Sequence, residues 1–101
     1  MKKIASAICV SGVLAFCAGA VQAADDVGGR NLAAACAACH GTNGHAVPGM
    51  AAMAGMDKTY IVKVMQEFKT GKRPATLMHQ IAKGYSDDQI ALIADYYSKQ
   101  K

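Results

Sequence analysis

Tryptophan is absent from this 101-residue chain, and aromatic residues of every kind make up only 6% of it. A core built on large rings is thereby excluded, even though 52% of the residues are hydrophobic, so Ala, Ile, Leu and Met must fill the interior. There is no internal repeat, no low-complexity tract and no alternation of apolar and polar residues. Solenoids, linkers and sheet architectures are excluded with them. Neither sign of charge dominates, with 11 Lys plus Arg against 7 Asp plus Glu and a net charge of +4. The length allows one domain at most.

Much of the apolar content lies at the beginning of the chain, where Lys2 and Lys3 precede an uncharged run over residues 4–21. The run ends in Val21-Gln22-Ala23, directly before the polar Ala24-Asp25-Asp26. A basic start, an apolar middle and a small-residue end predict a secretory signal cleaved after Ala23. A membrane anchor fits less well, because the run is short and rich in Ala, Gly, Ser and Cys. A lipoprotein would need a small residue before the acylated cysteine, and Phe16 before Cys17 is bulky. The expected division is a signal at residues 1–23 and a periplasmic domain at residues 24–101, with no stable membrane insertion. Removing Lys2 and Lys3 leaves 9 basic residues against 7 acidic ones, a net charge of +2. Such a charge does not seek nucleic acid.

Cleavage also removes Cys9 and Cys17, leaving Cys36 and Cys39. These stand in Cys36-Ala37-Ala38-Cys39-His40, the C-x-x-C-H pattern of covalent haem attachment. Two sulfurs three positions apart can reach the two vinyl groups of one haem, and the next imidazole can meet its iron. Three other uses of the residues are weaker. A thioredoxin-like pair needs a strand–helix setting, zinc needs a fourth ligand that the sequence does not cluster nearby, and a Cys36–Cys39 disulfide closes too small a loop to stabilise much. Haem also answers the thin core, since chains below about 80 residues seldom bury enough apolar surface without a staple.

The remaining pattern is helical. Asp25 or Asp26 is expected to cap a first helix that reaches Cys39 and turns Val27, Leu32 and Ala35 inward, with Gly28 and Gly29 permitting close contact. Residues 41–55, broken by Gly41, Gly44 and Pro48-Gly49, read as a loop around the proximal side of the haem. Asp57 caps a second helix carrying Ile61, Val64, Met65 and Phe68 on one face, and Gly71 ends it. Thr76 is expected to cap a short segment from Leu77 to Lys83, ended by Gly84. Ser86-Asp87-Asp88-Gln89 fits a capping box, followed by Ile90, Ile93, Ala94 and Tyr97 at helical spacing. The fold class is all-α.

Cys36-Ala37-Ala38-Cys39-His40-Gly41-Thr42, a Met-bearing loop and the C-terminal Ile93-Ala94-Asp95-Tyr96-Tyr97 resemble a small class I cytochrome c. A narrower likeness lies in Met56-Asp57, in Val64-Met65-Gln66-Glu67-Phe68-Lys69-Thr70-Gly71, in Thr76-Leu77-Met78 and in Ile81-Ala82-Lys83-Gly84-Tyr85-Ser86. These stretches are similar to the haem subunit of flavocytochrome c sulfide dehydrogenase. The resemblance implies three to four helices wrapped around one covalent haem c, and an electron carrier rather than an enzyme. It also implies a flavoprotein dehydrogenase subunit or another redox protein as partner. It sets Gly28 or Gly29 against Tyr96, with Tyr97 the more exposed neighbour, whereas periodicity turns Tyr97 inward. Members of the family usually place a proline carbonyl behind the proximal imidazole. Here the matching stretch is Ala51-Ala52-Met53-Ala54-Gly55, with Pro48 three residues earlier, so the acceptor for His40 stays open.

Met50, Met53, Met56, Met65, Met78, His45 and His79 are the candidates for a sixth iron ligand. His45 follows His40 too closely to reach the opposite haem face, Met65 lies on an apolar helical stripe, and Met50, Met53 and Met56 belong to the proximal loop or its exit. The resemblance places the ligand at Met78. His79 then points about 100° away and reads as a surface histidine. The expected site is thus Cys36 and Cys39 for attachment, with His40 and Met78 on iron. A carrier passing electrons from a flavoprotein that oxidises sulfide or a related compound is the expected function. The alternatives are a free shuttle to a terminal oxidase and, with an open sixth position, a haem ligand sensor or peroxidase-like enzyme. Lys63, Lys69, Lys72, Arg73 and Lys83 form either a solvated face or a docking surface for an acidic partner.

Intact-mass measurement on protein exported by a host able to mature c-type haem should find the chain from Ala24 plus one haem. A haem-free or zinc-loaded folded chain would contradict the motif reading.

Overall fold

The computed structural model describes residues 24–101; the expected signal at residues 1–23, with Cys9 and Cys17, lies outside the described residues. Helix α1 covers residues 24–33 and passes through a 3-10 turn, Ala34–Cys36, into the short α2, Ala37–His40. A second 3-10 turn, Thr42–Gly44, opens an irregular stretch that ends at α3, Lys58–Lys69. The short α4, Met78–Lys83, and the C-terminal α5, Asp87–Ser98, complete the chain. Among the described residues there is no strand, and no helix is long and apolar enough to cross a membrane.

Local chemistry accounts for the two long helices. The Asp57 carboxylate accepts from the Tyr60 N–H at 3.0 Å and caps α3. At its far end, Gly71 has a φ of +78°. Its N–H donates to Phe68 O and that of Lys72 to Glu67 O, the paired bonds of a left-handed helix stop. Ser86 and Gln89 form the expected capping box at α5, with bonds of 3.2 and 2.9 Å. Asp87 and Asp88 in its first turn complement the helix dipole. The long helices pack on each other, and α4 lies against α3.

The core joins Ala33, Ile61, Met65, Ala82, Ile90, Ile93, Ala94 and Tyr97. All four apolar positions predicted inward on α5 are buried, and on α3 Ile61 and Met65 are buried while Val64 and Phe68 are half-covered. Helix α1 follows expectation in part: Leu32 packs half-buried against the core and Gly29 makes the expected close contact, but Val27 and Ala35 do not turn inward. Val27 is 47% exposed and Ala35 is also exposed, while Gly29 and Ala33, four residues apart, face α5. The reason is close approach: a Cβ on Gly29 would lie 2.7 Å from Leu92 O and 3.5 Å from the Tyr96 Cβ. The face that touches α5 must therefore be the small one, whatever the apolar periodicity suggests. Asp25 and Asp26 lie within the helical residues instead of capping them. Lys99 links Asp26 at 3.0 Å and Asp95 at 2.7 Å, joining α1 to α5 at the surface.

Periodicity is right about Tyr97, and the resemblance is right to set Tyr96 against Gly29 but not to leave Tyr97 the more exposed of the two. Tyr96 stacks its Cβ over Gly29 and its hydroxyl donates to Asn43 Oδ1, while Tyr97 is 1% exposed in the core. The rings meet edge to face with centroids 5.2 Å apart. Thr76 does not cap α4; Leu77 holds the N-cap position, with no side-chain bond to the helix.

Gly29→Ala should destabilise the protein by about 1–3 kcal/mol, because the new methyl meets a backbone carbonyl that cannot move without displacing α5. Chemical denaturation checks this, and an unchanged midpoint would contradict the crossing described.

Candidate functional site

Cys36 closes the first 3-10 turn, and Cys39 and His40 follow on α2, so one continuous helical path presents all three. The two thiols are unpaired, Cys36 half-buried and Cys39 exposed. Burial pushes the Cys36 thiol above its ordinary value, against a smaller opposing effect from the Tyr97 hydroxyl. A reactive redox cysteine needs the opposite shift. Among the described residues no group of three or more His, Cys, Asp or Glu side chains could hold a metal ion, so a zinc cluster is not assembled here.

The His40 ring is held by one hydrogen bond. Its Nδ1 lies 2.7 Å from the Ala51 carbonyl oxygen. A carbonyl can only accept, so Nδ1 carries a proton, and in the neutral ring Nε2 is then the nitrogen with the lone pair. The acceptor left open by the sequence is thus Ala51, the position matching the family's proline, and not Pro48. Its role is invisible in side-chain chemistry because only the backbone acts.

The loop is held in place from both sides. The N–H groups of Met53 and Ala54 donate to Gly44 O at 2.9 and 3.3 Å, and the Gly55 N–H donates to Tyr97 O at 2.9 Å. Gly44 is buried with a φ of +81°. A Cβ there would stand 2.6 Å from Ala54 N and 2.9 Å from Tyr97 Cδ1. Only glycine lets the loop fold back and bring the Ala51 carbonyl to His40.

Met78 opens α4, half-buried against the core. Met65 is a core residue, Met53 and Met56 are half-buried, and Met50 and His45 are exposed. His79 is not the surface residue expected: it is half-buried, and its Nδ1 is fully covered without a hydrogen-bond partner. The inward direction of α4 is that of Ala82, and Met78 and His79 stand about 40° and 60° to either side of it. Both are therefore partly covered although they point apart.

A covalent haem fits the residues present. Two thiols and an imidazole on one helical path, and a half-buried thioether on α4, are side chains of the types that hold such a group. Leu32, Met53, Phe68, Met78 and Tyr85 present half-covered apolar side chains beside the core, and Val47, Leu77 and Ile81 leave further apolar surface exposed. Of the five basic residues, Lys69 is tied to Tyr85 O at 2.7 Å and to Asp87, and Arg73 to Glu67 at 2.8 Å. Lys63 also lies 3.9 Å from Glu67, so three of the five cations read as a solvated or a docking face pair with carboxylates of the chain itself.

A family model described as cytochrome c oxidase, cbb3-type, subunit III, matches residues 23–96. The chain is similar to the cytochrome subunit of sulfide dehydrogenase from Chlorobaculum tepidum, with 37% identity over 78 residues, 77% of this chain and 71% of that one. It is similar to cytochrome c4 of Pseudomonas aeruginosa, with 38% identity over 80 residues, 78% of this chain and 40% of that one. The solved structure of cytochrome c4 from Acidithiobacillus ferrooxidans matches with a TM-score of 0.64 at 31% identity, covering 70% of this chain and 49% of that one. The chain thus spans less than half the length of these cytochrome c4 relatives.

Gly44→Ala should cost about 2 kcal/mol or more, combining an unfavourable left-handed backbone with overlap at Ala54 and Tyr97. It should also shift the His40 ring resonances, since the Ala51 carbonyl moves with the loop. Unchanged stability and unchanged histidine signals would contradict the loop's role.

Proposed function

The chain belongs to the cytochrome c family, and from that premise we propose a periplasmic electron carrier with one covalent haem c. Cys36 and Cys39 attach it, His40 and Met78 ligate its iron, and a flavoprotein that oxidises sulfide or a related sulfur compound supplies the electron. Residues 24–101 form the carrier, and residues 1–23 direct its export. The observation that carries this reading is the His40–Ala51 bond, which leaves one ring nitrogen available as a ligand and holds the ring in orientation.

When bound, the haem supplies a one-electron couple between ferrous and ferric iron. The chain's own residues set its terms. The Ala51 carbonyl accepts the Nδ1 proton of His40 and raises the basicity of the opposite nitrogen. Met78 offers a soft thioether that favours the ferrous state and raises the potential. If His40 and Met78 both held the iron, no position would be left for substrate, and electron transfer would be favoured over catalysis or ligand sensing. The sulfur-compound donor rests on the likeness to a sulfide dehydrogenase cytochrome subunit and on the Thr76-Leu77-Met78 to Tyr85 stretch; a free shuttle to an oxidase is the second reading.

Met78→Ala should abolish the long-wavelength sulfur-to-iron absorption of the ferric protein, lower its potential and open the iron to carbon monoxide. His79→Ala should leave all three unchanged. If His79→Ala alone perturbs the ligand spectrum, the iron is ligated by two histidines. If the unaltered ferrous protein binds carbon monoxide readily, the sixth position is open and the carrier reading fails.

A further inference from the structure

The Ala33 carbonyl stands where α1 ends, on a residue 1% exposed. In a continuous α-helix it would accept from the amide four residues on, that of Ala37. The Ala37 N–H instead donates to Ala34 O, three residues back. Within the 3-10 turn the Ala33 carbonyl faces the Cys36 amide three residues on, and it also accepts from the Tyr97 hydroxyl, 2.9 Å away. A 3-10 bond is poorer in geometry than the α-helical one it replaces, so the phenol makes up for it at a buried carbonyl, and the phenol and the 3-10 turn are two halves of one arrangement.

The consequence falls on Cys36, the last residue of that turn. A 3-10 turn advances about 120° per residue against about 100° in an α-helix, so three residues rotate the side chains of the next segment by about 60°. The Cys36 thiol packs, half-buried, against the core that holds Tyr97. We infer that Tyr97 is a positioning residue for covalent haem attachment, its hydroxyl holding Ala34–Cys36 in the 3-10 form that aims the Cys36 sulfur at its vinyl group. This rests on the cofactor assignment proposed above.

Attachment is an addition: the S–H bond breaks, Sγ bonds to the vinyl carbon next to the porphyrin ring, and the hydrogen ends on the terminal vinyl carbon. No electron leaves, so the step depends on alignment. Alignment is unequal at the two thiols, because Cys36 is held by Tyr97 whereas Cys39 is exposed on α2. Tyr97 belongs to α5, so the attachment motif takes its geometry from the docking of the C-terminal helix on α1.

Tyr97→Phe keeps the buried ring and removes only the hydroxyl. The Ala33 carbonyl then recaptures the Ala37 amide, the turn relaxes to α, and Cys36 leaves its alignment. The full chain is expressed in a host with haem-maturation machinery, and the total exported chain is alkylated with iodoacetamide and mapped by peptide mass, so that variants too unstable to accumulate still report. The expected result is at least a fivefold rise in chains with alkylated Cys36 and haem held by Cys39 alone. Tyr96→Phe, which loses the hydroxyl bonded to Asn43 on the same helix, should leave both thioethers intact. Equal loss at both cysteines, the same defect in both variants, or full double attachment in Tyr97→Phe would overturn the inference. An unaltered chain without haem would instead overturn the cofactor reading beneath it.

Discussion

The hydrogen bond from the His40 ring to the Ala51 carbonyl is the constraint on which the site depends. It fixes the tautomer of the one imidazole next to the two thiols, and with it the nitrogen that can meet a metal. Such a bond needs a loop held to within a fraction of an ångström. The loop is held by Gly44, which accepts two of its amides, and by α5, whose Tyr97 carbonyl accepts a third. Tyr97 also reaches the end of α1 through its hydroxyl. One residue of the C-terminal helix therefore fastens both the attachment motif and the loop behind its histidine.

The same arrangement explains how so small a chain is organised. Its buried residues are mostly small or aliphatic, with Tyr97 and Ile90 the largest fully covered side chains. Helices α1 and α5 approach closely because glycine and alanine meet them there, and α3 and α5 carry their own caps. Around this nucleus, several apolar side chains remain half-covered. A planar cofactor bonded to Cys36 and Cys39 would cover that surface, serving as part of the core as well as the redox group.

The long helices were legible in the sequence because their signals are local. Asp57, Ser86, Gln89 and Gly71 act within one turn of themselves, and the apolar residues of α5 follow a single stripe. The misread features depend on contacts across the chain. The inward face of α1 is set by the approach of Leu92 to Gly29, which periodicity cannot register. Thr76 looked like a cap, but the helix begins two residues later. His79 was expected in solvent because it follows Met78, yet a helix buried along Ala82 covers both of its neighbours in part. Ala51 contributes a backbone carbonyl, which no side-chain pattern marks, so the acceptor for His40 is given only by the folded loop.

The central claim is that His40 offers Nε2 to iron while Nδ1 is held by Ala51. Nitrogen-resolved NMR of the ferrous holoprotein tests it most directly. The account predicts a slowly exchanging proton on His40 Nδ1 that is close in space to Ala51, and no proton on Nε2. A proton on His40 Nε2, or a freely exchanging Nδ1 proton with no contact to Ala51, would contradict it.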